Sequence, residues 1–305
     1  MLSLVLMNIS GINKLLGIKL PLTEKNLPKY FEGYATKFWF NKYKIEKDFL
    51  LTILLMDFSK SYPQLIFKWW TCLNKLYYDY YRLSEDLDFF IISEAWQDAR
   101  WNIFSKLKSS FQDDKYKRIW LEYTDSGYWT THKKKRQWWY LFRYSSVFDW
   151  SEQWIQIDIR IEKESLFKPV EKEIGSIYFD NILEEPLFNK TYIQAMDLRE
   201  IASEKVRAAL TRQPDPAIRD FYDIWYMKQH WVDFDSLKDG IHRKIADHRD
   251  NRKPEKLYND LSIDYLLKAI DKELKPVLSA INLWEYNFWK SELEAVCEMV
   301  KEFKI

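Results

Sequence analysis

Between residues 46 and 60 the apolar positions Leu50, Leu51, Ile53, Leu54 and Leu55 follow a spacing that predicts an amphipathic helix. Pro63 marks a turn, and Leu65-Ile66-Phe67 reads as a short buried strand. Residues 71–80 read as helix again, and Phe89-Phe90-Ile91-Ile92 as strand. From 117 to 163 the period changes to two. Arg118 to Thr124 and Trp138 to Tyr144 are two strand candidates. The third is the clearest: Ile155, Ile157, Ile159 and Ile161 alternate with Gln156, Asp158, Arg160 and Glu162, which puts all four isoleucines on one face. Turn-like segments between the three predict an antiparallel meander. Past about residue 190 the pattern is helical. Ile201, Ala202, Val206, Ala209 and Leu210 share a helical face, and Asp215-Pro216 reads as a helix start with Asp as N-cap. Residues 262–280 and 283–303 are further helices. The expected division is an N-terminal segment over 1–45, an α+β domain over 46–190 and a helical domain over 191–305.

Composition narrows the function classes. With 47 Lys and Arg against 46 Asp and Glu the formal net charge is +1, so any hold on nucleic acid has to be local. The two cysteines, Cys72 and Cys297, form neither a CxxC pair nor a zinc spacing, and a reduced, cytoplasmic protein is expected. Met1 to Leu20 lacks the marks of a signal peptide, and no run of eighteen apolar residues predicts a membrane-spanning helix. The histidines His132, His230, His242 and His248 have no zinc spacing. Tryptophan is in excess, 15 against 6 glycines. Several tryptophans sit where a turn or a phosphate loop asks for glycine: Trp69-Trp70, Trp129 and Trp150. This pattern is expected if Trp69, Trp70 and several others are glycines at UGA codons read as tryptophan; the alternative is a Trp-rich chain whose indoles pack in its core.

Arg82-Leu83-Ser84-Glu85-Asp86-Leu87-Asp88-Phe89-Phe90 carries the candidate chemistry. On a strand, Asp86 and Asp88 point to the same face. Two such carboxylates can grip a hard cation, which Mg²⁺ completes with substrate phosphates. Asp158, on the polar face of the isoleucine strand, could supply a third oxygen. A bare Asp-x-Asp is more often a pair of solvated acids at a strand edge. Upstream lies Phe67-Lys68-Trp69-Trp70-Thr71-Cys72-Leu73-Asn74-Lys75. With glycines at 69 and 70 it would be strand, Lys-Gly-Gly-Thr, helix, a form in which backbone and helix N-terminus can approach a triphosphate.

That stretch, followed by a helix and Arg-x-Ser-x-Asp-x-Asp, resembles the core motif of the AbiEii/AbiGii nucleotidyltransferase toxins, within the DNA polymerase β-like superfamily. Glu46-Lys47-Asp48 is similar to the family's start. A second block matches its helical motif of a lysine followed by Arg-Asp-x-x-Asp: Lys205, then Arg219-Asp220-Phe221-Tyr222-Asp223. The resemblance covers roughly residues 46 to 228 and departs at Trp69-Trp70. It implies an α+β fold with a mixed sheet and flanking helices, followed by a C-terminal helical domain. It implies a toxin that moves NMP from an NTP to tRNA or protein, uses Mg²⁺, and is restrained by an antitoxin. Asp86, Asp88 and Asp158 would hold the metal; Lys68, Trp69, Trp70, Thr71 and Ser84 would line the nucleotide; Lys205 would touch its phosphates and Asp220 would be an active-site acid. Arg219 and Asp223, at i and i+4, could instead pair on their own helix. The competing reading is the same fold with a blocked site, acting as a partner-binding module. His132-Lys133-Lys134-Lys135-Arg136 could guide tRNA or be a solvated hairpin loop. Trp284, Tyr286, Phe288 and Trp289 could stack on bases or pack a core.

Overall fold

The computed structural model describes residues 8–94, 97–128, 137–180, 183–212, 216–248 and 263–303. Two units divide the chain: Met1–Ser165 with Pro169–Ala195, and Leu166–Lys168 with Met196–Ile305. The first unit runs α1 (Ile9–Leu16), α2 (Leu27–Phe38), α3 (Lys42–Ser61), β1 (Ile66–Phe67) and α4 (Trp69–Cys72, prolonged by a π-helical turn over Leu73–Tyr77). It continues through β2 (Asp86–Ile92), α5 (Gln97–Phe111), α6 (Asp114–Lys117), β3 (Glu122–Tyr128), β4 (Gln137–Ser145) and β5 (Glu152–Glu162). The strands β6 (Val170–Glu173), β7 (Phe179–Asp180), β8 (Glu185–Pro186) and β9 (Tyr192–Ala195) complete it. Seven strands form one mixed sheet in the order β3-β4-β5-β2-β1-β9-β6, and β7 and β8 form a separate two-stranded ribbon.

Alternation along β5 has the result its pattern demands: Ile155, Ile157, Ile159 and Ile161 are all buried. β3, β4 and β5 form the expected antiparallel meander. The first of these strands starts at Glu122, later than its apolar pattern predicts. Ile119, Trp120 and Leu121 are buried in a turn that leaves α6, where the Leu121 N–H donates to the Tyr116 carbonyl at 3.0 Å. Hydrophobicity there reports burial rather than strand.

Helix α3 departs further from expectation. Every residue from Asp48 to Phe58 is buried, so over these three turns the helix has no solvent face. It packs against α1 and α2 as well as β9, and a helix enclosed in this way is a core helix, not an amphipathic one. Its polar residues are all partnered. Asp48 pairs with Lys75 (2.8 Å), and Lys75 Nζ also donates to Thr52 Oγ1 and Tyr80 Oη. Asp57 accepts from Lys115 and Tyr116 at 2.9 and 2.8 Å. Around the far end of α3, Phe58, Phe89, Phe111, Tyr116 and Phe142 make an aromatic cluster.

The second unit consists of α7 (Leu198–Thr211), α8 (Ile218–Gln229), a 3₁₀ turn over Asp235–Leu237, α9 (Lys238–His248), α10 (Ile263–Ala269) and α11 (Ala280–Lys301). Asp197 caps α7 by accepting from the Arg199 N–H. The helix start expected at Asp215-Pro216 falls later: α8 begins at Ile218 behind Ala217, which offers no side-chain cap, and Pro216 precedes the helix. Asp215, Trp129 and the basic run His132 to Arg136 lie outside the described residues, as do the side chains of Trp284, Tyr286, Phe288 and Trp289. No helix among the described residues is long and apolar enough to cross a membrane. Cys72 and Cys297 are both buried, and neither forms a disulfide.

Candidate active site

β2 lies parallel to β5 with Asp86 opposite Gln156 and Asp88 opposite Asp158. Residues paired across parallel strands, and residues two apart on one strand, project to the same side. Asp86, Asp88 and Asp158 therefore share the face opposite the buried isoleucines. Asp88 and Asp158 are buried and Asp86 is half-buried. Gln156 Nε2 donates to Asp158 Oδ2 at 2.6 Å, and Gln137 Nε2 approaches Asp158 Oδ1 at 3.3 Å, so two amides fix that carboxylate.

The β1–α4 junction closes over the start of β2. The Lys68 N–H donates to the Asp88 carbonyl at 2.9 Å, and the Lys68 side chain is buried. Thr71 Oγ1 lies 2.7 Å from the Asp86 carbonyl oxygen and 2.6 Å from Ser84 Oγ, and Ser84 Oγ donates to Asp86 Oδ1 at 3.2 Å. Lys68, Thr71, Ser84 and the aspartates thus meet at one place in the first unit. The two indoles occupy it with them. Lys68 Nζ stands 3.8 Å from the Trp69 ring centroid, and Trp70 Nε1 donates to Asp86 Oδ1 at 3.1 Å.

Three carboxylates on one strand face are the hard-oxygen donors a divalent cation such as Mg²⁺ takes, so the donor set fits in kind and in register. Among the described residues no three His, Cys, Asp or Glu side chains converge on a single point, with Asp86 Oδ1 engaged by Trp70 and Ser84.

Cations outside the predicted set reach the same edge. Lys44 and Lys47, one turn apart on α3, flank Glu85 at 2.7 and 3.7 Å. Burial pulls the Lys47 ammonium below its ordinary pKa, against the pull of Glu85. The i, i+3 spacing of these lysines was the available signal. Near them, Glu46 is fully buried and accepts from the Val147 N–H at 2.7 Å and Ser146 Oγ at 2.8 Å. Burial pushes its carboxyl up to about 7, more than these hydrogen bonds pull it down.

In the second unit, α7 and α8 bring Lys205 between Asp220 (3.0 Å) and Asp223, and Arg212 Nη1 reaches Asp220 Oδ2 at 2.9 Å. Lys205 and both aspartates are buried. Burial alone would raise the Asp220 carboxyl, but Arg212 and then Lys205 outweigh it and hold it below the usual carboxylate range. Arg212 is the member of this cluster that the sequence motif did not single out.

A mixed sheet with this aspartate face beside a Lys-x-x-Thr helix start is the arrangement expected of a nucleotidyltransferase. The chain belongs to the nucleotidyl transferase AbiEii toxin family of type IV toxin–antitoxin systems, whose model matches residues 53–285. Among solved structures it is similar to MenT4, a nucleotidyltransferase toxin of Mycobacterium tuberculosis H37Rv, with 16% identity, 92% of this chain and 99% of that chain covered and a TM-score of 0.51. A candidate nucleotidyltransferase from Helicobacter pylori shares 15% identity over 86% of this chain and 96% of its own, with a TM-score of 0.50. At such identities these two likenesses speak for the fold. No curated protein matches the chain.

Proposed function

We propose that this enzyme transfers a nucleoside monophosphate from an NTP to a hydroxyl of tRNA or of a protein, as the cytoplasmic toxin of a pair whose antitoxin restrains it. The observation that carries the reading is the register of Asp88 on Asp158, with Asp86 on the same face and Lys68, Thr71 and Ser84 beside it. Asp86, Asp88 and Asp158 would hold Mg²⁺, which supplies positive charge to the triphosphate. Lys68 and the backbone of residues 69–71 would bind phosphate oxygens at the head of α4. Asp158 would accept the proton of the attacking hydroxyl. The acceptor oxygen bonds to the α-phosphorus, the bond to the bridging oxygen breaks, and pyrophosphate leaves. Lys205 would touch the nucleotide phosphates, and Asp220, ionised beside Arg212 and Lys205, would be a further active-site carboxylate.

Incubation with each α-labelled NTP, Mg²⁺ and total tRNA or cell protein tests the proposal. Label should pass to a discrete acceptor with one preferred NTP. Absence of transfer from all four NTPs to either acceptor class would overturn it.

A further inference from the structure

Left-handed backbone is populated in this protein by an unusual residue. Eight described non-glycine residues have positive φ, and five are tryptophans: Trp39 (58°), Trp69 (62°), Trp120 (81°), Trp150 (63°) and Trp231 (65°). Gly17, at 68°, is the one described glycine there. Tryptophan is only 15 of 305 residues, so five positions in eight is far from a random draw. A Cβ crowds the backbone at these angles, and the residues that tolerate them are glycine and, less readily, Asn and Asp.

Four of the six positions repeat one motif. α1 ends at Gly17 (φ 68°, ψ 34°), over which the Ile18 N–H donates to the Asn13 carbonyl at 3.1 Å. α2 ends at Trp39 (φ 58°, ψ 34°), over which the Phe40 N–H donates to Ala35 at 3.0 Å. The same closure spans Trp120, from Leu121 to Tyr116, and Trp231, from Val232 to Met227, both at 3.0 Å. This is the Schellman helix stop, whose left-handed residue is usually glycine. Trp150 ends the β4–β5 loop, where its N–H donates to Ser146 and the Ser146 N–H to Ser151. Trp69 opens α4. Packing does not explain three of the rings either: Trp39, Trp150 and Trp231 are 62, 47 and 94% exposed, whereas Trp120 is buried. Tryptophans of the ordinary kind exist in the same chain. Trp138 is buried and stacked on Phe104 at 4.8 Å, and Trp225 is buried on α8.

We propose that Trp39, Trp69, Trp120, Trp150 and Trp231 are glycines in the cell that carries this gene. Their codons are UGA, which that cell translates as glycine, whereas a code in which UGA means tryptophan yields the indoles. Trp138 and Trp225 are UGG codons and tryptophan in both. Glycine at 69 also removes the ring that stands over Lys68 Nζ. The inference rests on backbone angles and holds whether or not the chain transfers nucleotides.

Reading the gene is the first test. UGA at four or five of the positions, with UGG at 138 and 225, is expected, and UGG at two or more of the five overturns the proposal. Peptide masses from the source cells then separate glycine from tryptophan at UGA. Trypsin releases two adjacent peptides, Asp220–Lys228 with Trp225 and Gln229–Lys238 with Trp231. The first should have the tryptophan mass and the second the glycine mass. A tryptophan mass for Gln229–Lys238 overturns the proposal even if its codon is UGA.

Discussion

Replacing Asp158 by Asn exchanges one oxygen for an NH₂ group, and a flip of the facing glutamine amide turns its oxygen to accept from that group, so the side chain keeps its volume and its place on β5. The proton acceptor is lost. Asp158→Asn should therefore melt within a degree or two of the parent and transfer NMP roughly 10²–10⁴-fold more slowly. Asp86→Asn should behave alike, through loss of a charged oxygen ligand. Full transfer by either variant at saturating Mg²⁺-NTP would remove that residue from the site. Glu46 makes a separate prediction about pH. Its carboxyl ionises near 4.5 in the ordinary case and about 7 in the folded protein, where burial is the main cause. The folded state thus holds a proton that the unfolded state has released. Stability is fully present below pH 4.5 and is lost as pH rises through about 7, by an amount on the order of 2–3 kcal/mol. Glu46→Gln mimics the protonated acid, with its carbonyl free to accept from Val147 and its amide to donate to Ser146. The difference in melting temperature between Glu46→Gln and the parent should widen from pH 5 to pH 8. A constant difference would show that Glu46 ionises at the same pH folded and unfolded.

At the ends of helices, backbone sign decides stability. Trp231→Gly should relieve a left-handed strain of roughly 1–2 kcal/mol, less about 0.4–1 kcal/mol for glycine's extra freedom when unfolded. The ring is 94% exposed, so little packing is lost with it. Trp231→Ala discriminates between causes, since it removes the same ring but keeps the Cβ at φ 65°. Calorimetry should give Gly a melting temperature about 2–5 °C above both Ala and Trp, and equal values for Gly and Ala would show that the ring, not the backbone, matters. At the head of α4 the same residue type controls access. Trp69→Gly with Trp70→Gly uncovers Lys68 Nζ and releases Asp86 Oδ1. Mg²⁺-dependent NTP affinity should rise about tenfold or more by titration calorimetry; unchanged affinity would mean that α4 does not bind phosphate. Elements of this kind were legible to different degrees. The period of β5 and the meander around it followed from alternation alone, because a half-buried strand has one stable way to face its core. α3 is a helix, as its apolar spacing predicts, but not an amphipathic one, because Asp48, Thr52 and Asp57 are buried with Lys75 and Lys115 as partners. Pairing partners distant in sequence leave no mark on the local pattern.

Across the whole molecule, the decisive pairing is likewise non-local. The parallel register of β2 on β5 joins segments about seventy residues apart, with Asp88 on Asp158. Sequence spacing put Asp86 and Asp88 on one face, and the alternation of the isoleucine strand offered Asp158 as a third carboxylate; the block around Lys205 came from the family motif alone. The same long view applies to the strained tryptophans. Trp39 and Trp150 belong to the first unit and Trp231 to the second. Their closing hydrogen bonds involve different residues, Ala35, Ser146 and Met227, so substitutions at the three sites should add rather than interfere. Trp120 is a different case: it is buried and meets Tyr144 at 5.5 Å, so glycine there trades relief of strain against a cavity. A chain of two units need not melt in one step. If two transitions are resolved by scanning calorimetry, Trp231→Gly should move only the one that belongs to the second unit. Trp39→Gly with Trp150→Gly should move only the other, by about twice the single-site gain. The triple variant should show both shifts undiminished, roughly 2–3 kcal/mol in total. If the chain melts in a single transition, the stability gain of the triple variant should equal the sum of the three single gains to within about 0.5 kcal/mol. A triple variant no more stable than the parent would mean that these backbones relax to φ < 0 in solution and carry no strain to relieve.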